Sequence, residues 1–176
     1  MTTRARGGHP DEVDRLIAAW RRERPDLDVE PMEVLSRVTR LARHLDLARR
    51  TAFAAHGLES WEFDVLSALR RAGRPYELSP GQLIRETMVT SGTMTNRVDR
   101  LVEKGLVDRL PDPDDRRGVL VRLTRRGQSS VDAALDDLLR REQTLLKDLS
   151  ATDRARLARL LRDVVGPFDA EQIDPS

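Results

Sequence analysis

The sequence of 176 residues lacks cysteine altogether, which excludes disulfide frameworks, thiolate metal sites and thiol-based redox sensing. No apolar run approaches the ~20 residues that a membrane-spanning helix needs, and the N-terminus has no hydrophobic signal core. We therefore expect a cytoplasmic protein with no membrane partner. The three histidines, His9, His44 and His56, show no metal-ligand spacing, so no metal or other cofactor is expected.

An excess of charge of one sign is also missing. The 31 basic and 30 acidic residues leave a formal net charge of +1, which is not the bulk signature of a nonspecific nucleic-acid binder. Any argument for DNA binding must therefore rest on where the charges are placed. The length predicts one domain with a full core, or one domain with extensions.

Residues 79–124 have the pattern of a helix-turn-helix followed by a β-hairpin. The second helix is predicted over residues 91–104, because four apolar side chains recur there at helical spacing and mark a core-facing stripe. These side chains are Met94, Val98, Leu101 and Val102. Thr90 or Ser91 is predicted to cap the start of this helix, and Gly105 supplies the left-handed residue that ends it.

The other side of this helix is suited to entering a DNA major groove. Its side chains are small and polar near the N-terminus and cationic one to two turns later, which allows close approach and the reading of base edges. The candidate DNA-binding residues of the helix are Ser91, Gly92, Thr93, Thr95, Asn96 and Arg100. An ordinary amphipathic surface helix has the same pattern, so the helix alone does not decide between the two.

A predicted hairpin follows the helix. Residues 106–110 and 119–123 are β-prone runs, and the segment between them carries two prolines, three aspartates and a glycine, all typical of a turn. Arg116 and Arg117 lie at the tip, where a projecting guanidinium is placed to enter a DNA minor groove. Asp115 is predicted to hold such a guanidinium in place.

The stretch resembles the winged helix-turn-helix of the MarR family of bacterial regulators. The matching segments are residues 91–107 (SGTMTNRVDRLVEKGLV), 112–117 (DPDDRR) and 121–127 (VRLTRRG), within a match that runs from about residue 31 to residue 165. One departure is Met88, at a turn that often carries glycine in this family. The resemblance implies a mainly α fold with a small β wing (α+β), in which the terminal helices form a dimerisation domain.

Further helices are predicted on both sides of this stretch. Apolar spacing predicts helices over residues 11–24, 32–55 and 60–72, and Ser79 followed by Pro80 opens the first helix of the helix-turn-helix. After the wing, Thr124 caps a long helix with a seven-residue apolar repeat. A last helix is predicted to bury Leu157, Leu160, Leu161 and Val164 and to stop at Gly166 and Pro167.

The domain organisation follows from these helices. The terminal helices carry more apolar surface than a small winged domain can use, so they pack either within one subunit or, as the resemblance favours, in a two-fold homodimer. A dimer would place two reading helices about one turn of DNA apart, on a palindromic double-stranded operator. The expected divisions are an N-terminal extension with an extra amphipathic helix (1–30), a dimerisation helix (31–57), a DNA-binding domain (58–124) and C-terminal dimerisation helices (125–176).

The extra N-terminal helix resembles that of the urate-responsive subgroup of the family. The resemblance assigns ligand contacts to Trp20 on the extra helix, Asp64 before the reading unit, Arg97 on the recognition helix and Arg109 at the start of the wing. A planar anionic purine would stack on Trp20 and pair with Arg97 or Arg109, and Asp64 would hold one of these arginines when the ligand is absent.

Other interpretations stay open at this point. Ala42 stands where the urate-responsive subgroup often has histidine, which leaves another purine, a phenolic anion or a different organic anion as the ligand. Each tryptophan also fits a core or an interface, and each arginine also fits a structural ion pair. An enzyme using Trp20 and Arg97 would lack a nucleophile–base pair, a phosphate loop and a metal set, so no enzyme is expected. The leading hypothesis is a ligand-responsive regulator, most often a repressor, and the remaining rival is a winged module for protein contacts only.

Overall fold

The computed structural model of the protein describes residues 10–113, 115 and 118–173. In chain order the elements are α1 (Glu12–Glu23), α2 (Glu30–Ala54), α3 (Ser60–Arg71), β1 (Glu77–Leu78), α4 (Pro80–Thr87), α5 (Ser91–Glu103), β2 (Val107–Pro111), β3 (Val119–Leu123), α6 (Arg125–Leu145) and α7 (Ala151–Ile173). This mainly helical fold with one small sheet confirms the predicted fold class. The chain divides into two compact units between Arg49 and Arg50, inside α2. The domain boundaries given above stay predictions.

The first unit contains the extra helix. Asp11 caps α1 by accepting a hydrogen bond from the Asp14 amide, and the Asp14 side chain accepts one from the Asp11 amide in return. Arg37 on α2 pairs with both carboxylates, at 2.9 Å and 2.7 Å, and its hydrogen bond to Asp11 is the main reason why the pKa of Asp11 is lowered. Val13 and Ile17 form a small buried cluster with Val29, beside which Met32 packs. The cap and this cluster therefore fix the start and the apolar face of α1.

The second unit contains the helix-turn-helix, α4 followed by α5. Ser79 accepts a hydrogen bond from the Gln82 amide at the start of α4, and Pro80 lies in the first turn, as predicted. Met88 ends α4 in the left-handed conformation, with φ of 52° and ψ of 44°. The turn therefore keeps a backbone conformation that favours glycine. Methionine adopts this left-handed conformation at a steric cost, because its Cβ atom comes close to the following carbonyl oxygen. Met88 is also 78% exposed, so no packing explains its presence.

Three antiparallel strands form the sheet, in the order β1-β3-β2. The hairpin register pairs Val107 with Leu123 and Arg109 with Val121, which confirms the predicted wing strands to within one residue. Strand β1 was not predicted, because two residues are too short to show an alternation. It pairs with β3 at Glu77 and Arg122, whose side chains form an ion pair of 2.6 Å.

Helix α5 presents one buried stripe to the core of this unit. Met94, Val98 and Leu101 are buried as predicted, whereas Val102 is 39% exposed. The buried stripe therefore contains three of the four apolar residues that the helical spacing predicted. The core that receives it also contains Phe53 and Phe63, whose rings stack with centroids 4.0 Å apart.

Thr124 and Gly127 join the wing to α6. The Thr124 hydroxyl caps α6 by accepting a hydrogen bond from the Gly127 amide at 2.9 Å, and it lies 2.9 Å from the Gly105 carbonyl and 3.1 Å from the Leu106 carbonyl, to which it can donate. A Cβ atom at Gly127 would lie 2.1 Å from the Leu106 carbonyl oxygen. Helix α6 can therefore approach the end of α5 this closely only because residue 127 has no side chain.

Helix α7 differs from its prediction in two ways. It does not stop at Gly166 but runs through Pro167 to Ile173, although an interior proline removes one helical hydrogen bond and its ring crowds the preceding turn. Its apolar side chains are also not buried in the chain itself: Leu160 is 50% exposed and Val164 51%. This face is therefore exposed in the single chain.

Two further features bear on function. Within the described residues, no helix is long and apolar enough to cross a lipid bilayer. The described part of the chain also has no group of three or more histidine and carboxylate side chains arranged to hold a metal ion.

Candidate nucleic-acid interface

The start of α5 is an open polar surface. Thr90 caps the helix, with its hydroxyl accepting from the Thr93 amide at 3.5 Å and lying 2.9 Å from the Thr93 hydroxyl. The Thr95 hydroxyl donates to the Ser91 carbonyl at 3.2 Å. Five of the six candidate residues on this helix are exposed polar or small residues within its first two turns: Ser91, Gly92, Thr93, Thr95 and Asn96. The amide groups at this end also give it partial positive charge, which favours contact with phosphate.

Gly92 has no structural requirement to be glycine. Its φ is not in the left-handed region, and a Cβ atom built there would meet no heavy atom within 4 Å. Glycine in the first turn of a helix is less favourable than alanine, so the fold gains nothing from it. What the missing side chain does provide is room for another molecule to approach the helix backbone.

Arg100, the sixth candidate on α5, is already bound by its own protein. Its Nη2 atom donates to Glu59 Oε1 at 2.8 Å, and its guanidinium carbon lies 4.8 Å from the centroid of the Trp61 ring. Trp61 Nε1 donates to the other oxygen of Glu59 at 2.8 Å. This hydrogen bond is the main reason why the pKa of Glu59 is lowered, with the charge of Arg100 adding to it. Arg100 thus has a defined orientation beside α3, with more than half of its side chain exposed.

Two more cations of α5 face the start of α3. The guanidinium carbon of Arg97 lies 5.5 Å from the Trp61 ring centroid. Lys104 Nζ lies 2.6 Å from Glu62 Oε1, an ion pair without good hydrogen-bond alignment. Glu62 is fully buried, and its other oxygen accepts from the Glu59 amide. The first turn of α3 therefore holds α5 along the stripe formed by residues 97, 100 and 104.

An ion pair ties the wing to α5. Arg109 on β2 lies 2.6 Å from Asp99 on α5. At the tip, the Asp112 amide donates to the Gly118 carbonyl at 3.0 Å, and the Gly118 amide donates to the Asp115 carbonyl at 2.8 Å. Arg116 and Arg117, predicted to contact DNA, lie outside the described residues. Asp115 is exposed at this tip, and its role beside the two arginines stays a prediction.

The four residues assigned to a ligand occupy different surroundings. Trp20 lies on α1 in the first unit and is 43% exposed. Arg97 packs over Trp61, and Arg109 pairs with Asp99, which α5 presents to strand β2. The ligand roles of all four residues stay predictions.

Asp64 belongs to a small cavity in the second unit. The cavity measures about 220 Å³ and is lined by α3 and by the end of α4, through Asp64, Ser67, Arg71, Glu86, Thr87 and Met88. Arg71 and Glu86 form an ion pair of 3.1 Å across it. This cavity combines charged groups of both signs with an exposed methionine at its edge.

Glu59 and Trp61 were missed as functional candidates, since Trp61 was interpreted only as a core or interface aromatic residue. The sequence does contain a signal for them. Arg97, Arg100 and Lys104 recur at helical spacing as a basic stripe along and just after α5, with which carboxylates on a facing element can pair. Glu59 and Glu62, three residues apart at the start of α3, are the matching acidic pair.

Comparison with known proteins agrees with this geometry. A model of the MarR family matches residues 56–118. The HTH-type transcriptional regulator PecS of Dickeya dadantii is 37% identical over 150 residues, which cover 85% of this chain and 90% of PecS. The HTH-type transcriptional repressor NicR of Pseudomonas putida is 32% identical over 143 residues, or 79% of this chain and 89% of NicR.

Solved structures show the same likeness. The crystal structure of a mutant MarR from E. coli complexed with operator DNA superposes with a TM-score of 0.62 at 32% sequence identity, and the match covers 79% of this chain and 99% of that one. The fold, the exposed start of α5 and the extent of these matches lead to one conclusion. This chain belongs to the MarR family and is a DNA-binding transcriptional regulator, not an enzyme.

Proposed function

We propose that this regulator binds a palindromic operator as a homodimer, acts as a repressor and leaves the DNA when a small organic anion binds. The observation that carries the proposal is the exposed start of α5, where small polar side chains surround a glycine with empty space in front of it. A recognition helix enters the major groove with its N-terminal residues. The wing beside it, whose sequence carries two arginines between strands β2 and β3, is suited to the adjacent minor groove.

Gly92→Ala tests the position of this helix on DNA. The added methyl group meets nothing in the protein, so we expect the stability of the fold to stay the same or to rise slightly. On DNA the methyl group would fill space that a base or phosphate occupies, and overpacking of this kind costs about 1–3 kcal/mol. Operator affinity should therefore fall by about tenfold, measured by fluorescence anisotropy on a duplex that the wild-type protein selects from a random-sequence library.

Gly81→Ala is the matched control. Gly81 is likewise an exposed glycine at the second position of its helix, α4, and a Cβ atom there would make only ordinary contacts at 3.9 Å. We expect this variant to keep its operator affinity to within about twofold. If Gly92→Ala also binds the selected duplex as well as the wild-type protein does, then α5 does not enter the groove with its first turn.

The ligand in this proposal is a small organic anion, with urate or a related purine as the leading choice. Support comes from Arg97, which the resemblance assigns to the ligand. It lies on α5 within one turn of the candidate DNA contacts, and its guanidinium lies over the Trp61 ring. An anion that drew Arg97 away from this ring would pull on the helix that binds DNA. By linkage, operator DNA would then weaken ligand binding by the same factor.

Arg97→Ala tests this coupling. We expect urate or xanthine to release the wild-type protein from the selected duplex, and Arg97→Ala to bind the duplex but need at least about tenfold more purine for release, since it lacks a charge-assisted contact. The readout is the anisotropy of the duplex, titrated with urate, xanthine and a phenolic anion such as salicylate. Arg162→Ala, an exposed arginine on α7, is the control and should respond as the wild-type protein does.

The outcomes test DNA binding and the response to the ligand separately. Release by salicylate alone would replace the purine by a phenolic anion. Binding to DNA that no anion reverses would retain the DNA-binding regulator and remove the ligand. An unchanged purine response in Arg97→Ala would show that Arg97 does not hold the ligand.

A further inference from the structure

Glu59 and Trp61 hold Arg100 in one orientation. The carboxylate of Glu59 bridges two donors, accepting from Arg100 through Oε1 and from Trp61 through Oε2, each at 2.8 Å. The guanidinium of Arg100 stacks on the indole ring at 4.8 Å. The Nη2 group and one face of the guanidinium are therefore occupied, while 52% of the Arg100 side chain stays exposed.

Stability does not explain this arrangement. The side chains of Arg100 and Glu59 are 52% and 54% exposed, and exposed ion pairs of this kind contribute close to nothing to folding, because solvent screens them and two long side chains lose freedom. What the arrangement does provide is a pre-oriented guanidinium. An arginine that is already fixed loses less rotamer freedom when it binds a second partner.

We infer that Glu59 is a positioning residue for sequence recognition, which orients Arg100 so that its free N–H groups read a base edge in the operator. The inference rests on the proposed entry of α5 into the major groove and names how that helix reads sequence. Arginine donates two parallel hydrogen bonds to guanine and to no other base in the major groove, so a correctly placed Arg100 would select guanine at one position of each half-site. Trp61 supports Glu59 by fixing its second oxygen.

A competing account gives Glu59 the opposite effect. A carboxylate beside a DNA-binding helix repels phosphate and occupies an arginine, so its removal would strengthen binding to every sequence alike. Positioning predicts the reverse for the correct sequence, because an arginine without its support loses orientation. The sign of the change on two different duplexes therefore distinguishes the two accounts.

The experiment uses Glu59→Gln in the full-length protein. Glutamine keeps the length of the side chain but has only one oxygen, so it cannot accept from Trp61 and Arg100 through separate oxygens. We expect the ratio of affinities for the selected duplex and a scrambled duplex of the same length to fall by about fivefold or more. Affinity for the scrambled duplex should stay the same or rise. The thermal midpoint should fall by no more than a few degrees, since both side chains are about half exposed and exposed ion pairs contribute little to folding.

Two comparisons distinguish the loss of Arg100 orientation from a general loss of one negative charge. Glu103→Gln removes the same charge from an exposed position of α5 and should leave the affinity ratio unchanged. In an Arg100→Ala background, Glu59→Gln should have no further effect on the ratio, since Glu59 acts through Arg100. An unchanged ratio in Glu59→Gln, equal tightening on both duplexes, or an effect that persists without Arg100 would overturn the inference. Wild-type protein that does not discriminate between the duplexes would instead refute the proposed function itself.

Discussion

Gly127→Ala should lower the free energy of unfolding by about 3 kcal/mol. A Cβ atom at this position would lie 2.1 Å from the Leu106 carbonyl oxygen and 3.0 Å from Leu123 Cδ1. The leucine side chain can move, but the carbonyl cannot, because it accepts a hydrogen bond from the Thr124 amide at 3.1 Å. Relief of the clash must therefore shift the start of α6 away from the wing, and the cap at Thr124 weakens with it.

The loss is measured by thermal unfolding at a fixed protomer concentration, since any dimer makes the midpoint depend on concentration. For a chain of this size we expect the midpoint to fall by roughly 6–12 °C. Gly92→Ala is the control: a Cβ atom there meets nothing within 4 Å, and alanine in place of glycine in a helix leaves the stability unchanged or raises it slightly. Equal midpoints for the two variants would show that α6 can move away at no cost.

Much of the fold follows from local signals in the sequence. Asp11, Ser79, Thr90 and Thr124 each begin a helix and each accept a hydrogen bond from an amide three residues later. Capping depends on residues that are neighbours in sequence, so a single sequence contains all the information that it needs. The turn at Gly105, with φ of 67°, was predictable for the same reason.

Contacts between elements that are distant in the sequence were harder to predict. Arg100 was assigned to the free face of α5, yet its guanidinium is bound by Glu59, which precedes it by 41 residues. No local rule states which of several carboxylates will meet a given arginine once helices pack. The pairing of Arg109 on β2 with Asp99 on α5 is of the same kind. The sequence therefore showed which residue types line the site, but not how they pair.

Helix α7 has an apolar face that the single subunit leaves exposed. Its apolar side chains form one stripe, since positions 157, 160, 161, 164 and 168 recur at helical spacing. Within the described part of the chain none of these residues is buried: Leu157 is 36% exposed and Phe168 64%. Contiguous apolar surface of this kind marks a protein interface. The stripe therefore supports the proposed homodimer, in which a second copy of α7 covers it.

Val164→Asp should convert such a dimer to a monomer and reduce operator affinity by about 100-fold or more. In a two-fold interface a single substitution acts twice, and each aspartate would lose its hydration in an apolar contact. Two half-site readers joined in one dimer bind with far higher avidity than either alone, which is why the loss on DNA exceeds the effect on folding. Analytical ultracentrifugation gives the mass, and anisotropy on the selected duplex gives the affinity.

Ala155→Asp is the matched control, because residues 155 and 164 lie on opposite sides of the same helix at 3.6 residues per turn. Both positions are exposed in the single chain, and both variants gain one negative charge, so repulsion from DNA is equal in the two. Only Val164→Asp should lose the dimer. Circular dichroism must show that it keeps its helices, since an unfolded α7 would also fail to pair. A folded Val164→Asp protein that remains dimeric and binds the duplex as the wild-type protein does would place the dimer contact elsewhere on the chain.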